Sequence, residues 1–225
     1  YEAQGILPEA MVNFLALLGW NPGDEREVMS RSELVEAFTS ARILKKSSVF
    51  DLEKLSWLNG RHLAAADTAR LLPMVRSHLS PTRGAAAERV AGDAWMARLV
   101  DLLKVRARTV DEVAEQAGPY VADELAYAED AVAKHWAKDP VAAEAHLAAV
   151  ASRLRTAEWN EAALEGVLRA LAEEVGVGAG KLIHPLRVAL TGQTASPGIF
   201  EVLVLLGRER SLGRLEAAIA RVRAL

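Results

Sequence analysis

The sequence predicts an all-α fold, and three observations carry that reading. Apolar residues recur at helical spacing almost throughout, while period-two alternation is nearly absent. Ser, Thr, Asp or Asn stands in capping position before several of these runs, twice with Glu three residues on. Gly or Pro punctuates many of the ends.

The elements follow in order. Pro8 suits a first helical turn, where its missing N–H costs nothing; Met11, Phe14, Leu15 and Leu18 share one face, and Gly19 supplies a stop. Ser30 with Glu33 is a capping box for a helix over Glu33–Phe38. Asp51 caps a helix carrying Leu52, Leu55 and Leu58 that is expected to end at Asn59-Gly60. An Ala-rich helix near Thr68–Leu79 breaks at Ser80-Pro81, and a long helix is expected from about Ala86 to Lys104. Thr109 with Glu112 forms a second capping box, and Gly118-Pro119 reads as the clearest linker in the middle of the chain. Helices are expected near Val121–Trp136, Val141–Leu154 and Glu161–Glu174, started by Asp139-Pro140 and Asn160 and stopped by Gly176 and Gly178. Lys181–Leu190 reads as helix, kinked at Pro185 or beginning there. Ser196-Pro197 opens a helix to Leu206, and the last runs over Glu209–Val222.

The totals narrow the function. No cysteine is present, which excludes disulfides, thiolate nucleophiles and cysteine-held zinc. No apolar run spans a membrane and no basic-then-apolar leader opens the chain, so no membrane partner and a cytoplasmic location are expected. The net charge of −3 does not by itself point to nucleic acid, but its distribution is uneven. Residues 119–180 carry 5 Lys/Arg and 11 Asp/Glu, residues 181–225 carry 7 and 3, and residues 68–118 carry 8 and 6. The two basic blocks are either solvated helix faces or parts of an RNA-binding face.

No catalytic constellation emerges. His62, His78, His135, His146 and His184 show no i, i+4 ligand pair, and each reads as a surface or helix-end residue. Gly176-Val177-Gly178-Ala179-Gly180-Lys181 fails as a phosphate loop, because Val175 stands where a glycine is needed and Leu182 replaces the magnesium-binding hydroxyl. A helix stop and turn is the better reading.

Two early runs carry a family resemblance. Leu7-Pro8-Glu9-Ala10-Met11-Val12-Asn13-Phe14-Leu15-Ala16-Leu17-Leu18-Gly19-Trp20 and Val49-Phe50-Asp51-Leu52-Glu53-Lys54-Leu55-Ser56-Trp57-Leu58-Asn59-Gly60 together resemble the segment after the catalytic signature loop of bacterial glutamyl-tRNA synthetases. A third run, Lys181-Leu182-Ile183-His184-Pro185-Leu186-Arg187-Val188-Ala189-Leu190-Thr191-Gly192 followed by Ser196-Pro197-Gly198-Ile199-Phe200-Glu201-Val202-Leu203, is similar to that family's anticodon-binding region. The runs stand in the family's order. Ile43-Leu44-Lys45-Lys46-Ser47-Ser48 superficially resembles the mobile lysine loop. In the family, though, that loop lies upstream of the tyrosine and glycine matching Tyr1 and Gly5, and no His-x-Gly-His motif is present.

The resemblance implies three parts: residues 1–67 touching the tRNA stem, and residues 68–118 and 119–225 as two α-helical anticodon-binding domains. It places Arg106 where the family discriminates the third anticodon base, with Arg108 as rival if the register slips. It places Arg187, Ser196, Pro197 and Ile199 on anticodon contacts, and Lys54 and Trp57 on stem contacts. An arginine fork bonding a base edge and an apolar floor beneath an unstacked ring suit those roles. Arg106 and Arg187 equally suit helix C-termini, where they complement the dipole, and Trp20 and Trp159 read as packing residues. The implied role is recognition of the stem and anticodon loop of tRNA for glutamate, by a monomer with no DNA partner. Adenylate chemistry with ATP and magnesium would belong to a catalytic N-terminal domain of the same enzyme. The chain alone is expected to be inactive and to hold no cofactor or metal. The rival is an all-α protein-interaction scaffold that has lost RNA binding.

Overall fold

The computed structural model describes residues 1–44, 48–80, 83–85, 87 and 92–225. Among these the fold is all-α, with a single antiparallel bridge between Trp20 and Ile43 in place of any sheet. Two compact units divide the chain, Tyr1–Gly118 and Pro119–Leu225.

The first unit begins with α1 (Pro8–Gly19), α2 (Arg31–Ala37) and α3 (Leu52–Ala65). Pro8 occupies the first turn of α1; Ser30 and Glu33 form the capping box of α2; and Asp51 accepts from the N–H groups of Glu53 and Lys54 to start α3. Helices α1 and α3 bury Ile6, Phe14, Leu55 and Leu58 against one another. Each large side chain taken out of water there contributes about 1.5–3 kcal/mol. A second cluster joins Trp20, Met29 and Leu34. Trp20 is 4% exposed and its Nε1 donates to the Thr39 carbonyl at 3.2 Å, so this ring does pack.

Helix α3 runs five residues past Asn59-Gly60, where a stop was expected. Asn59 is fully buried: its Oδ1 accepts from Leu7 N (2.8 Å), and its Nδ2 donates to Gly5 O (3.1 Å) and Arg108 O (2.6 Å). A Cβ at Gly60 would lie 3.2 Å from the Ala107 carbonyl. The pair is therefore a close-approach point for backbone, which looks like a stop in sequence.

The unit continues with α4 (Thr68–His78), capped by Asp67, α5 (Asp93–Lys104) and α6 (Val110–Val121). Helix α5 starts at Asp93 behind the extended Gly92; the expected start at Ala86, like Pro81 of the expected break and Lys45-Lys46-Ser47, lies outside the described residues. Thr109 Oγ1 accepts from Glu112 N, while the Glu112 carboxylate accepts from Arg108 N, one residue before the expected box partner. Gly118-Pro119 is no linker in secondary structure, since α6 runs through Pro119 to Val121. Residues 1–67 and 68–118 are tied within this unit by Arg70 on Glu9 (2.6 and 2.8 Å) and by Lys104 Nζ on Ala66 O (2.9 Å).

The second unit holds α7 (Glu129–His135), α8 (Pro140–Thr156), α9 (Glu161–Glu174), α10 (Gly180–Thr191), α11 (Ile199–Leu206) and α12 (Arg208–Arg223). Asp139 and Asn160 cap α8 and α9, as their positions predicted. The expected Val121–Trp136 helix is instead the end of α6, a non-helical stretch 122–128, and α7. Tertiary bonds win over local periodicity there: Ala128 N donates to Gly192 O at 2.9 Å, and Arg210 and Arg214 both donate to Ala122 O. Helix α10 is the core of the unit, with Leu182, Pro185, Leu186, Val188, Ala189, Leu190 and Thr191 buried. Pro185 sits inside it without ending it, and its carbonyl accepts from the buried Trp136 Nε1 at 3.3 Å.

Candidate nucleic-acid interface

Arg106 lies in the turn between α5 and α6 and is exposed. The turn is set by backbone: Arg106 N and Ala107 N both donate to Leu103 O, Ala107 is buried, and the Arg108 carbonyl is held by Asn59. Position 106 thus projects from a fixed turn although its own side chain is on the surface.

Lys54 and Trp57 share one concavity with Glu27, Asp51, Glu53 and Arg108. The structure therefore groups the expected stem residues with Arg108 and not with Arg106. Lys54 is ion-paired to Glu27, both more than a third exposed, and Asp51 caps α3. Three carboxylates against two cations make this concavity a poor magnet for phosphate unless Lys54 leaves Glu27; that exchange is cheap, since an exposed pair contributes about 0–1 kcal/mol. Trp57 is 40% exposed, the accessible ring in this group.

Arg187, Ser196, Pro197 and Ile199 converge in the second unit. Arg187 Nε donates to Ser196 Oγ at 3.0 Å, the Ser196 hydroxyl donates to Pro197 O at 2.8 Å, and Thr191 Oγ1 donates to Arg187 O at 2.8 Å. This relay orients the guanidinium. Ser196-Pro197 does not open α11 as expected; Gly198 does, with its N–H accepted by Glu201 at 2.9 Å. Pro197 is buried and Ile199 is 4% exposed, so their apolar area lies mostly inside the unit. Trp159 is a partly buried ring that donates from Nε1 to Leu203 O (3.0 Å) beneath the Arg208 guanidinium at 5.3 Å, so it packs as expected.

His135 ends α7 and His184 is exposed, as a surface or helix-end reading expects, whereas His62, in the last turn of α3, departs from a surface reading. His62 is buried and bonds Asn13 Oδ1 through Nε2 at 3.0 Å; burial pushes its pKa below the usual value, with Glu9 pulling weakly the other way. His135 and His184, far apart in sequence, stack with ring centroids 5.2 Å apart, and Arg187 Nη1 reaches His184 Nδ1 at 3.4 Å. The signal for that proximity is the shared face of Lys181, His184 and Arg187 on one helix, visible only once α10 is known to be buried on its other sides. Among the described residues no group of three or more His, Asp or Glu converges as metal ligands would.

The geometry is that of a helical module with Arg106 exposed on a fixed turn and Arg187 on a helix face. The family model for the anticodon binding domain matches residues 70–219, and the chain belongs to that family. A second model, the catalytic domain of class I tRNA synthetases (E and Q), matches residues 1–57. Over 221 residues the chain is 40% identical to the glutamate–tRNA ligase of Thermus thermophilus, covering 98% of this chain and 46% of that protein. It is 42% identical over 220 residues to glutamate–tRNA ligase 1 of Sphingopyxis alaskensis, covering 96% and 44%. A crystal structure of a glutamate tRNA ligase from Elizabethkingia meningosepticum superposes with a TM-score of 0.82 at 25% identity, covering 97% of this chain and 42% of that one. The chain thus matches the C-terminal portion of bacterial glutamate–tRNA ligases and spans less than half the length of these relatives.

Proposed function

We propose that this chain recognises the stem and anticodon loop of tRNA for glutamate, as part of a ligase that joins glutamate to that tRNA using ATP and magnesium. Catalysis in this reading belongs to residues outside the chain, which acts as a monomer in the cytoplasm without a DNA or membrane partner. The observation that carries the reading is the Arg187–Ser196–Pro197 relay, which holds the Arg187 guanidinium on a largely buried helix at positions the resemblance assigns to anticodon contact. Arg106 on its fixed turn reads the third anticodon base, and Lys54 and Trp57 approach the stem. A bidentate arginine–base contact discriminates by about 1–3 kcal/mol.

The test is binding of the chain to glutamate tRNA and to the same tRNA with only the third anticodon base altered, at low and moderate salt. Salt-sensitive binding that weakens with the altered base is expected, with Arg106→Gln erasing that preference. Arg187→Ala should weaken binding more than Arg169→Ala, because Arg169 is engaged with Glu165 on the exposed face of α9. Equal loss for both arginine variants, or no salt-sensitive binding, would sink the assignment.

A further inference from the structure

Residues 119–225 contain three lysines, Lys134, Lys138 and Lys181, and three histidines, His135, His146 and His184. All six line one cleft, between the end of α7, the start of α8 and the start of α10. Seven of the nine arginines of the same unit are used differently: Arg153, Arg155, Arg169 and Arg223 pair with carboxylates, and Arg208, Arg210 and Arg214 donate to backbone carbonyls. Among the described residues none of the three lysines makes an ion pair, and each is exposed. The one acid in the cleft wall, Asp139, accepts the Ala142 N–H as the cap of α8. Lys134, His135, Lys138 and His146 come from a stretch, 119–180, whose overall balance is acidic, and Lys181 and His184 join them from the basic stretch that follows.

The histidines register the local field. Burial lowers the pKa of both His135 and His184, and the nearby charges add to it: His184, Lys134 and Arg187 act on His135 against a weak pull from Asp130, and Arg187 and Lys134 act on His184. Cations dominate from every side. The glycine turn that fails as a phosphate loop forms one wall, and there Lys181 N and Leu182 N donate to Gly178 O and Ala179 O. An anion would accordingly be held by side chains. The cleft is also continuous with the Arg187 relay, since His184 belongs to its wall and touches Arg187.

We infer that this cleft is a phosphate-binding track for single-stranded RNA backbone, carrying the phosphodiesters that flank the bases presented to Arg187. The inference rests on the proposed anticodon reading and adds a sequence-independent component to it. Phosphate contacts fix register and supply affinity, whereas base contacts specify.

The experiment compares the unaltered chain with the triple variant Lys134→Gln, Lys138→Gln, Lys181→Gln on a hairpin RNA bearing the anticodon arm of glutamate tRNA, over a range of salt. Single-stranded contacts contribute a slope of about −0.7 per phosphate in log affinity against log salt, so the variant's slope should be shallower by about 2, with affinity at low salt down roughly tenfold. Preference among anticodon bases should not change, and the triple Lys→Arg variant should retain the slope. Arg169→Gln is the control for bulk charge. If the hairpin binds and the triple Gln variant keeps the full slope, or the control loses as much per charge, the track is overturned while the anticodon reading stands. If only inorganic tripolyphosphate binds, through the three lysines, the cleft serves a free polyphosphate and the inference is wrong. Binding of neither probe removes both the track and the reading beneath it.

Discussion

The two units pin their chain crossings with different chemistry. In the first, the crossing of the N-terminal segment, α3 and the α5–α6 turn is closed by Asn59, a neutral amide that satisfies one N–H and two carbonyls. In the second, Arg214 donates to Leu190 O (2.5 Å), Pro119 O (2.7 Å) and Ala122 O (3.2 Å). Those carbonyls lie at the C-terminal ends of α10 and α6, where orphan acceptors and negative dipole ends accumulate. A guanidinium donates only, so it fits a place where only acceptors meet; an amide fits where both kinds meet. Burial lowers the Arg214 pKa to about 10, with Arg210 adding to the shift, which leaves it charged at neutral pH. The inventory of orphan backbone groups thus selects the side chain.

The sharpest way to break this contrast is Arg214→Ala, which strands three carbonyls. At about 1–3 kcal/mol for each buried group left unmade, the second unit should lose at least about 3 kcal/mol in urea unfolding. Arg214→Lys should recover only part, because an ammonium lacks the planar fork. Next comes Asn59→Ala, expected to cost about 2–4 kcal/mol and to reach the first unit alone. Asn59→Asp should be worse, since it removes both donor bonds and buries a charge, and thermal melts of the two variants would show the order.

A pH effect separates the units further. The folded His62 has a pKa below 6.5, so in the window just under 6.5 the unfolded chain takes up the proton and the folded one resists. Stability of the first unit should be constant above about 6.5 and fall as pH drops below it, and His62→Gln should flatten that decline in urea titrations. The carboxylates of Glu9 and Asp101, whose pKa values are lowered in the fold, give way only at more acidic pH. The smallest effect is expected from Glu9→Ala. Its bidentate pair with Arg70 is exposed enough that loss of about 1 kcal/mol or less is predicted, and a larger loss would show that this pair is a real clamp between α1 and α4.

Local signals made the helices legible: the caps at Ser30, Asp51, Asp139 and Asn160 each do what their sequence position implies. The misreadings come from residues whose partners are distant. Asn59-Gly60 mimics a helix end because buried amides and turn amides are the same residue type. The 122–128 stretch has helical spacing but gives its carbonyl and N–H groups to Arg210, Arg214 and Gly192. On the candidate site, motif comparison located Arg187 and Ser196, which prove to be hydrogen-bonded neighbours. It passed over the lysine and histidine cleft because those six residues are scattered over some fifty positions and meet only after α7, α8 and α10 pack.

Gly192 has φ +72°, and a Cβ there would stand 2.2 Å from the Ala126 carbonyl oxygen, an obstacle made of backbone. The obstruction comes from the first atom of any side chain, so it is blind to size, charge and polarity. In a saturation scan, position 192 should give a flat row, with alanine as damaging as tryptophan, whereas a chemically constrained site grades its replacements. The codon for this residue would then tolerate synonymous change alone.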